Sequence, residues 1–309
     1  MKILVTGGTG LVGTAIKKAN KDNDDLLFVG SKDYNLVNPS NVEKMFKENR
    51  FDAIIHLAAK VGGVKGNSDY LADFFYENTM INTNILNMAR KHNIPKVLSL
   101  LSTCVYPDKA SYPLTEDQIH CGEPHKSNFG YAYAKRMLDV QSRAIKEQYG
   151  LDYITAVPNN IYGINDNFDL MNGHALPTII RKIYEAKISG KPPVFWGTGR
   201  TLREFTLSDD IAKALLSLIK IDNIEGPVNI GNTGEYKMID IIKNIAQIFE
   251  YNGKILWDKE KPEGQIRKPS CNKKFLSINP DFKYTNIDDG LAYVCKWFSE
   301  QYPNVRGFK

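Results

Sequence analysis

The sequence predicts an α/β protein: a doubly wound parallel sheet with helices on both faces, joined to a smaller α/β unit. Three observations predict it. Short apolar runs alternate with helical patterns through the first half, the first run opens straight into a glycine-rich turn, and beyond about residue 164 the alternation gives way to loops rich in Asn, Asp, Gly and Pro. Strands that alternate with helices make right-handed βαβ units, which bury a parallel sheet between helices.

Taken in order, Lys2–Thr6 is an apolar run, and a helical pattern runs from Leu11 to Ala19. Leu26–Val29 is a second strand, Asn41–Glu48 a helix and Ala53–Ala58 a third strand. A longer helix, Asp73–His92, carries Phe74, Ile81, Ile85 and Met88 on one face at helical spacing. Lys96–Leu101 reads as a strand, Tyr131–Tyr149 as a helix closed by Gly150 at the position that favours a left-handed cap, and Tyr153–Pro158 as a strand. Residues 1–164 are therefore expected to form one unit. Residues 165–309, with helical patterns at Pro177–Ala186, Asp209–Ile219 and Ile239–Phe249, mainly form the second, and part of this later chain returns to the sheet. There is no internal repeat, and the polar end Asn304–Lys309 is expected to be disordered.

Composition narrows the class. At 309 residues the chain exceeds the usual single core of roughly 100–200 residues. No stretch approaches the roughly 20 apolar residues of a membrane span, and Ile3-Leu4-Val5 is too short for a signal peptide, so a cytoplasmic location is expected. The cysteines, Cys104, Cys121, Cys271 and Cys295, form no CxxC pair, which argues against zinc or a disulfide framework; no metal is expected. A net charge of +5 without a basic tract suits anionic small molecules rather than nucleic acid.

The run Thr6-Gly7-Gly8-Thr9-Gly10-Leu11-Val12-Gly13 joins the first strand to the first helix. Gly7 allows the tight turn, Gly10 lets backbone N–H groups approach a pyrophosphate, and Gly13 lets helix and strand pack closely, with the anion at the positive end of the helix. The string fits GxxGxxG and, from Gly8, GxGxxG; its place directly after an apolar run gives it weight as a Rossmann dinucleotide site. At the end of the second strand, an NAD protein usually carries an acid for the ribose. Here Gly30-Ser31-Lys32 offers a hydrogen bond and a cation to a 2′-phosphate, which favours NADP(H); Asp33 is the alternative, a ribose ligand, and Lys32 a solvated loop lysine.

Tyr131 and Lys135 stand four residues apart on one helical face. A nearby ammonium is expected to favour the phenolate of a tyrosine whose free pKa is about 10, which suits proton transfer to a carbonyl oxygen. Ser102, at a strand end about 30 residues earlier, would hydrogen-bond that carbonyl, whereas Tyr133 has no lysine four residues on. Cys104 reads either as a small buried hydrophobe or as a base or nucleophile. His174, in a polar loop before a helix, reads by composition as a loop histidine.

At these residues the chain resembles the GDP-L-fucose synthase family of extended short-chain dehydrogenases/reductases. The likeness rests on Leu4–Gly13, the His56-Leu-Ala-Ala-Lys-Val-Gly-Gly63 run, Leu101-Ser-Thr-Cys-Val-Tyr-Pro107, Asn128–Met137, Asp166-Asn-Phe168 with His174, and Val194–Gly199 with Arg203-Glu-Phe205. The resemblance implies NADPH-dependent 3,5-epimerisation and then C4 reduction of a GDP-4-keto-6-deoxymannose, with Cys104 as the base and His174 as the acid. It implies cofactor contacts from Leu11, Val12, Leu57, Ala58, Ala59 and Asn160, the last to the nicotinamide or the sugar, and GDP-sugar contacts from Asn167, Trp196, Arg203, Lys268 and position 182, a lysine (Lys182) beside Arg181. Asn78 would support the substrate or Lys135, and a homodimer is expected through helices Asp73–His92 and Tyr131–Tyr149.

The chain departs from the family pattern at Asn159-Asn160, at Gly163-Ile164-Asn165 and at Pro262-Glu263-Gly264, which touches substrate detail rather than reaction class. The competing readings are a reductase or epimerase of another GDP-4-keto-6-deoxy sugar, and an NADP(H)-binding regulator without catalysis. Cys104 with His174 speaks against a simple reductase, and Tyr131 with Lys135 against a regulator.

Overall fold

The computed structural model describes residues 1–20, 25–261 and 265–308. The first half runs β1 (Lys2–Thr6), α1 (Leu11–Ala19), β2 (Asp25–Val29), α2 (Pro39–Glu48), β3 (Ala53–His56), α3 (Val64–Asp69), α4 (Leu71–Lys91), β4 (Lys96–Leu100), α5 (Phe129–Tyr149) and β5 (Asp152–Val157). The second half runs β6 (Asn160–Tyr162), α6 (Ala175–Ser189), β7 (Val194–Trp196), β8 (Leu202–Leu207), α7 (Ser208–Leu218), β9 (Val228–Asn229), β10 (Glu235–Lys237), α8 (Met238–Ile248), β11 (Leu256–Asp258), α9 (Lys273–Ile278) and α10 (Ile287–Gln301).

The main sheet is parallel throughout, in the order β2-β1-β3-β4-β5-β9. Alternate residues along its strands face opposite ways. Leu4, Ile54, Val97 and Tyr153 meet α2, α4 and α5 on one face; Ile3, Val5, Ile55, Leu98 and Ile154 meet α1 and α7 on the other. A separate core joins Tyr162, Phe168, Phe195 and Phe205 to α6, α8 and α10. Two small sheets, β10-β8-β6 and β11-β7, border it. The later chain crosses back three times: α7, β9 and Phe275 of α9 all belong to the first unit.

Local chemistry sets the boundaries. Helix α2 begins two residues before the expected Asn41, because Pro39 pre-sets the first helical residue and the Asn38 side chain caps Ser40 N at 2.9 Å. Strand β3 stops at His56 rather than Ala58, because the N–H groups of Leu57 and Ala58 both turn to Thr6 Oγ1, at 3.2 Å each. Gly150 caps α5 at φ +69, as expected.

The expected disorder of the C-terminus is wrong for Asn304–Phe308. Val305 is buried, Phe168 N donates to Arg306 O at 2.9 Å, and the Arg181 guanidinium bonds Gly307 O and lies 4.5 Å from the Phe308 ring. One apolar residue and three backbone or guanidinium contacts anchor a segment whose composition reads as polar.

Candidate active site

The sheet order reverses between β1 and β3, since β2 lies on one side of β1 and β3 on the other. Ligands of open α/β sheets bind at the carboxyl ends of the strands at such a switch point, and the glycine turn lies there. Gly7 sits at φ +68, and a Cβ on it would come within 2.9 Å of Ala58 N, so the turn is pressed against the end of β3. Gly10 precedes α1 with no side-chain cap, which leaves the first-turn N–H groups of Leu11, Val12 and Gly13 directed out of the helix end. A Cβ on Gly13 would meet Gly8 at 2.6 Å; its close packing is against the turn itself rather than the strand. The cradle therefore fits a dinucleotide pyrophosphate. At the end of β2 the Asp33 carboxylate accepts from Gly30 N at 2.7 Å, while Ser31 and Lys32 are exposed beside it.

Behind this turn lies a network that sequence reasoning passed over. His56 is fully buried, with Nδ1 2.7 Å from Thr6 Oγ1 and Nε2 3.1 Å from Asn82 Oδ1. The amide oxygen accepts only, so Nε2 carries the proton and Nδ1 accepts from the threonine hydroxyl. Burial first, and the Lys135 ammonium second, hold this imidazole down at about 3, in its neutral form. Asn82 Nδ2 donates onward to Ala134 O, so the glycine turn is linked to the helix of Tyr131 and Lys135. Asn82 is one helical turn from Asn78, on the same face of α4; that spacing, with His56 in a quoted motif, was the available signal. Asn78 itself bonds Lys60 N, Lys60 O and Phe74 O, so it fixes the 60–63 loop rather than touching Lys135.

Ser102, Cys104, Tyr131 and Lys135 converge at the carboxyl end of β4. Ser102 Oγ accepts from Cys104 N at 3.4 Å within the turn Thr103–Val105. Lys135 Nζ donates to Leu100 O at 2.7 Å and stands 5.8 Å from the centre of the Tyr131 ring. Burial lowers the lysine to about 8. The expected lowering of Tyr131 is not found: burial raises its phenol, and negative charge on Cys104 raises it further. Burial also pushes the Cys104 thiol up, against the Ser102 hydrogen bond and the charges of Lys268, Lys135 and Arg136. Tyr133 is exposed, on the other side of the helix.

His174 stands immediately before α6. Its loop is held to the first unit where Gly63 N donates to Asn172 O at 3.2 Å, and a Cβ on Gly63 would lie 3.1 Å from Gly173 O. The neighbouring Gly62 packs towards Phe74, whose ring meets Tyr131 edge-on at 6.5 Å. His174 has exposed surface, yet desolvation by the groups packed around it, and then the Arg306 charge, lower its imidazole. Asn167 shapes the same loop, its Oδ1 accepting from Asp169 N.

Lys268 reaches across from the second half, and its Nζ donates to Thr103 O at 3.0 Å. Its segment is pinned through Ser270, which bonds the buried Glu204 by both N and Oγ; Glu204 also accepts from Asn159 Nδ2. Arg203 is close enough for its charge to act on Lys268. Asn160 is exposed, with Nδ2 on Glu204 O. Trp196 is 61% exposed on β7, and Lys182 turns to the same strand, donating to Val194 O at 2.9 Å; neither is drawn into the Cys104 turn. Arg181 clasps Glu185, Phe168 O and Gly307 O. The Pro262-Glu263-Gly264 departure lies outside the described residues. Among the described residues no cluster of metal-binding side chains occurs.

The comparisons with known proteins agree with this geometry. Residues 3–231 match the model of the NAD dependent epimerase/dehydratase family. A GDP-L-fucose synthase of Dictyostelium discoideum is 39% identical, over 98% of this chain and 97% of that protein. A GDP-L-colitose synthase of Yersinia pseudotuberculosis is 34% identical, over 98% and 100%. A crystal structure of a GDP-L-fucose synthetase from Naegleria fowleri bound to NADP superposes with a TM-score of 0.93 at 37% identity, covering 99% of this chain and 94% of that one. With a family model that spans most of its length and full-length relatives above 30% identity, the chain belongs to the NAD dependent epimerase/dehydratase family, and within it to the GDP-L-fucose synthases and their relatives.

Proposed function

We propose that this chain is an NADPH-dependent epimerase–reductase that inverts C3 and C5 of GDP-4-keto-6-deoxy-D-mannose and reduces C4 to give GDP-L-fucose. The observation that carries the reading is the placement of a thiol, Cys104, in the same turn as Ser102 and against Tyr131 and Lys135. Carbonyl activation and proton abstraction are thereby offered to one substrate ring.

Protons alpha to a ketone are acidic because the enolate oxygen carries the charge, and in this reading Ser102 and Tyr131 hold that oxygen. Cys104 removes the C3 proton and then the C5 proton, and His174 delivers a different, solvent-derived proton to each carbon on the opposite face; after each inversion Cys104 releases its proton to solvent and His174 takes one up. With its pKa lowered, His174 rests neutral near pH 7, and the imidazolium it forms on taking up a proton is a stronger acid for the delivery step. NADPH, when bound, supplies the hydride for C4. Tyr131 donates its proton to O4; burial keeps its phenol protonated until then. Gly7, Gly10 and Gly13 seat the cofactor, with Ser31 and Lys32 at the 2′-phosphate. The unit around α6, α8 and α10 holds the GDP-sugar through Asn167, Arg203, Lys268 and the β7 edge with Trp196.

The test is incubation of the purified protein with GDP-4-keto-6-deoxymannose and NADPH in heavy water, followed by NMR of the product. Deuterium at C3 and C5 with an L-configured, reduced sugar is expected. NADPH oxidation without inversion at those carbons would remove the epimerase half, and no oxidation would remove the reductase half. Cys104→Ser should abolish exchange; Tyr131→Phe should retain some exchange and lose reduction. The similarity to the Yersinia protein favours a second reading, in which another GDP-4-keto-6-deoxy sugar is the substrate; a rate on such a sugar exceeding that on the mannose derivative would establish it.

The working form is read as a homodimer joined through α4 and α5, and its location as cytoplasmic. Among the described residues no helix is long and apolar enough to cross a membrane.

A further inference from the structure

Cys104 stands between two carbonyl groups, and each is held by a cation from a different part of the chain. Lys268 Nζ donates to Thr103 O at 3.0 Å. On the other side Arg136 Nε donates to Val105 O at 2.7 Å, and its Nη1 to Gly122 O at 2.6 Å. Arg136 is only 6% exposed, and its Nη2 is buried with no hydrogen-bond partner among the described residues. The groups that act on this guanidinium are Tyr133, Cys104 and Cys121, and among the described residues no carboxylate is paired with it. For Lys268 they are Cys104, Asp108 and Arg203.

We propose that Arg136 and Lys268 are positioning residues for the thiol: they fix its turn through the flanking carbonyls and hold a positive field on the sulfur, so that Cys104 serves as a base. The proposal rests on the reading of Cys104 as the base of the epimerisation. Two physical effects act together. A cation near an ionisable thiol favours its anion over its neutral form. The hydrogen bonds to both carbonyls also hold the turn in one conformation, so the sulfur keeps its place relative to these cations. The groups facing Cys104 are Ser102 on its own turn, Tyr131, Lys135 and Arg136 on α5, and Lys268 from the second half. Burial opposes the anion, and the three cations with Ser102 counter it. Because Lys268 arrives from the unit read as binding the GDP-sugar, the basicity of Cys104 depends on both halves of the molecule being in place.

The test is the pH dependence of iodoacetamide alkylation at Cys104, measured on the full chain without nucleotide sugar. Peptide mass spectrometry separates it from Cys121, Cys271 and Cys295. In Arg136→Met and in Lys268→Met the apparent pKa should rise by about one unit. Deuterium exchange at C3 and C5 at neutral pH should then fall about tenfold, in step with the thiolate fraction. Arg136→Lys and Lys268→Arg, which keep the charge, should recover most of both. If Arg136→Met does not fold, judged by its melting curve, the partly exposed Lys268 carries the test alone. An unchanged alkylation pKa in folded Met variants overturns the proposal, even if exchange is lost, because Lys268 would then act only on the substrate. A raised alkylation pKa with exchange intact upholds the field on the sulfur and instead refutes Cys104 as the base.

Discussion

Two buried residues on the β3–α4 and α6 sides of the cleft titrate in opposite senses, and their effects on stability separate cleanly. His56 is held at about 3 by burial, so between that pH and about 6.5 the unfolded chain takes up a proton that the folded chain refuses. Its contribution to stability is present above about 6.5 and is lost as pH falls, by about 1.4 kcal/mol per pH unit. Asp166 is 4% exposed, with one carboxylate oxygen bonded to Asn167 N and the other without a partner among the described residues. Burial raises it to about 7, so the folded chain holds a proton that the unfolded chain releases. Its contribution is present below the unfolded carboxylate range and is lost as pH rises through about 7. Between about pH 4 and 6.5 the two slopes oppose each other. Urea unfolding of the wild type, His56→Gln and Asp166→Asn across this window should show a falling slope with pH in the first variant and a rising one in the second. Parallel curves for all three proteins would mean that neither group titrates as described.

At the scale of elements, the glycine turn can be tested against a glycine with the same backbone and no neighbours. Gly7 and Gly150 lie at φ +68 and +69; a Cβ would crowd Ala58 at the first and meet nothing within 4 Å at the second. Both alanine variants pay the left-handed conformation, of order 1–2 kcal/mol. Only Gly7→Ala should also weaken NADPH, by at least about tenfold in a fluorescence titration, because it pushes the cradle away from β3. Equal NADPH affinity in the two variants would remove the turn from the cofactor site. The same comparison explains what the sequence could reveal. A turn fixed by residue type, such as Gly7–Gly13 or the Gly150 cap, is legible because few residues tolerate it. Helices α1 and α5 were legible from periodicity to within two residues. The ends of β3 and the docking of Asn304–Phe308 were not, since both depend on a partner far along the chain: Thr6 for the one, Phe168 and Arg181 for the other. At the site, Tyr131 and Lys135 announced themselves by spacing. Arg136 did not, because the carbonyls it bonds, Val105 and Gly122, belong to a loop with no periodic signal.

For the whole molecule, α5 has two unlike faces. Lys135 and Leu138 are buried towards the sheet and site, whereas Phe129, Tyr133, Met137 and Val140 form a stripe at helical spacing, each more than a third exposed. On the adjoining α4, Tyr76 is 59% exposed and Phe75 is exposed with it. A contiguous apolar surface on two packed helices is a liability for a monomer and an asset for an isologous pair, in which the same face meets itself. The helix that carries Tyr131 and Lys135 would then be supported from both sides, and dimerisation would stiffen the reacting groups without adding any residue to the site. Light scattering should give a mass of twice 34.9 kDa for the wild type at micromolar concentration. Met137→Glu, which places a charge at the centre of the stripe, should give the monomer mass. Its specific activity should fall and should be independent of protein concentration, whereas that of the wild type should drop on dilution. A monomeric wild type would sink the dimer, and a Met137→Glu protein that stays dimeric would move the interface off this face.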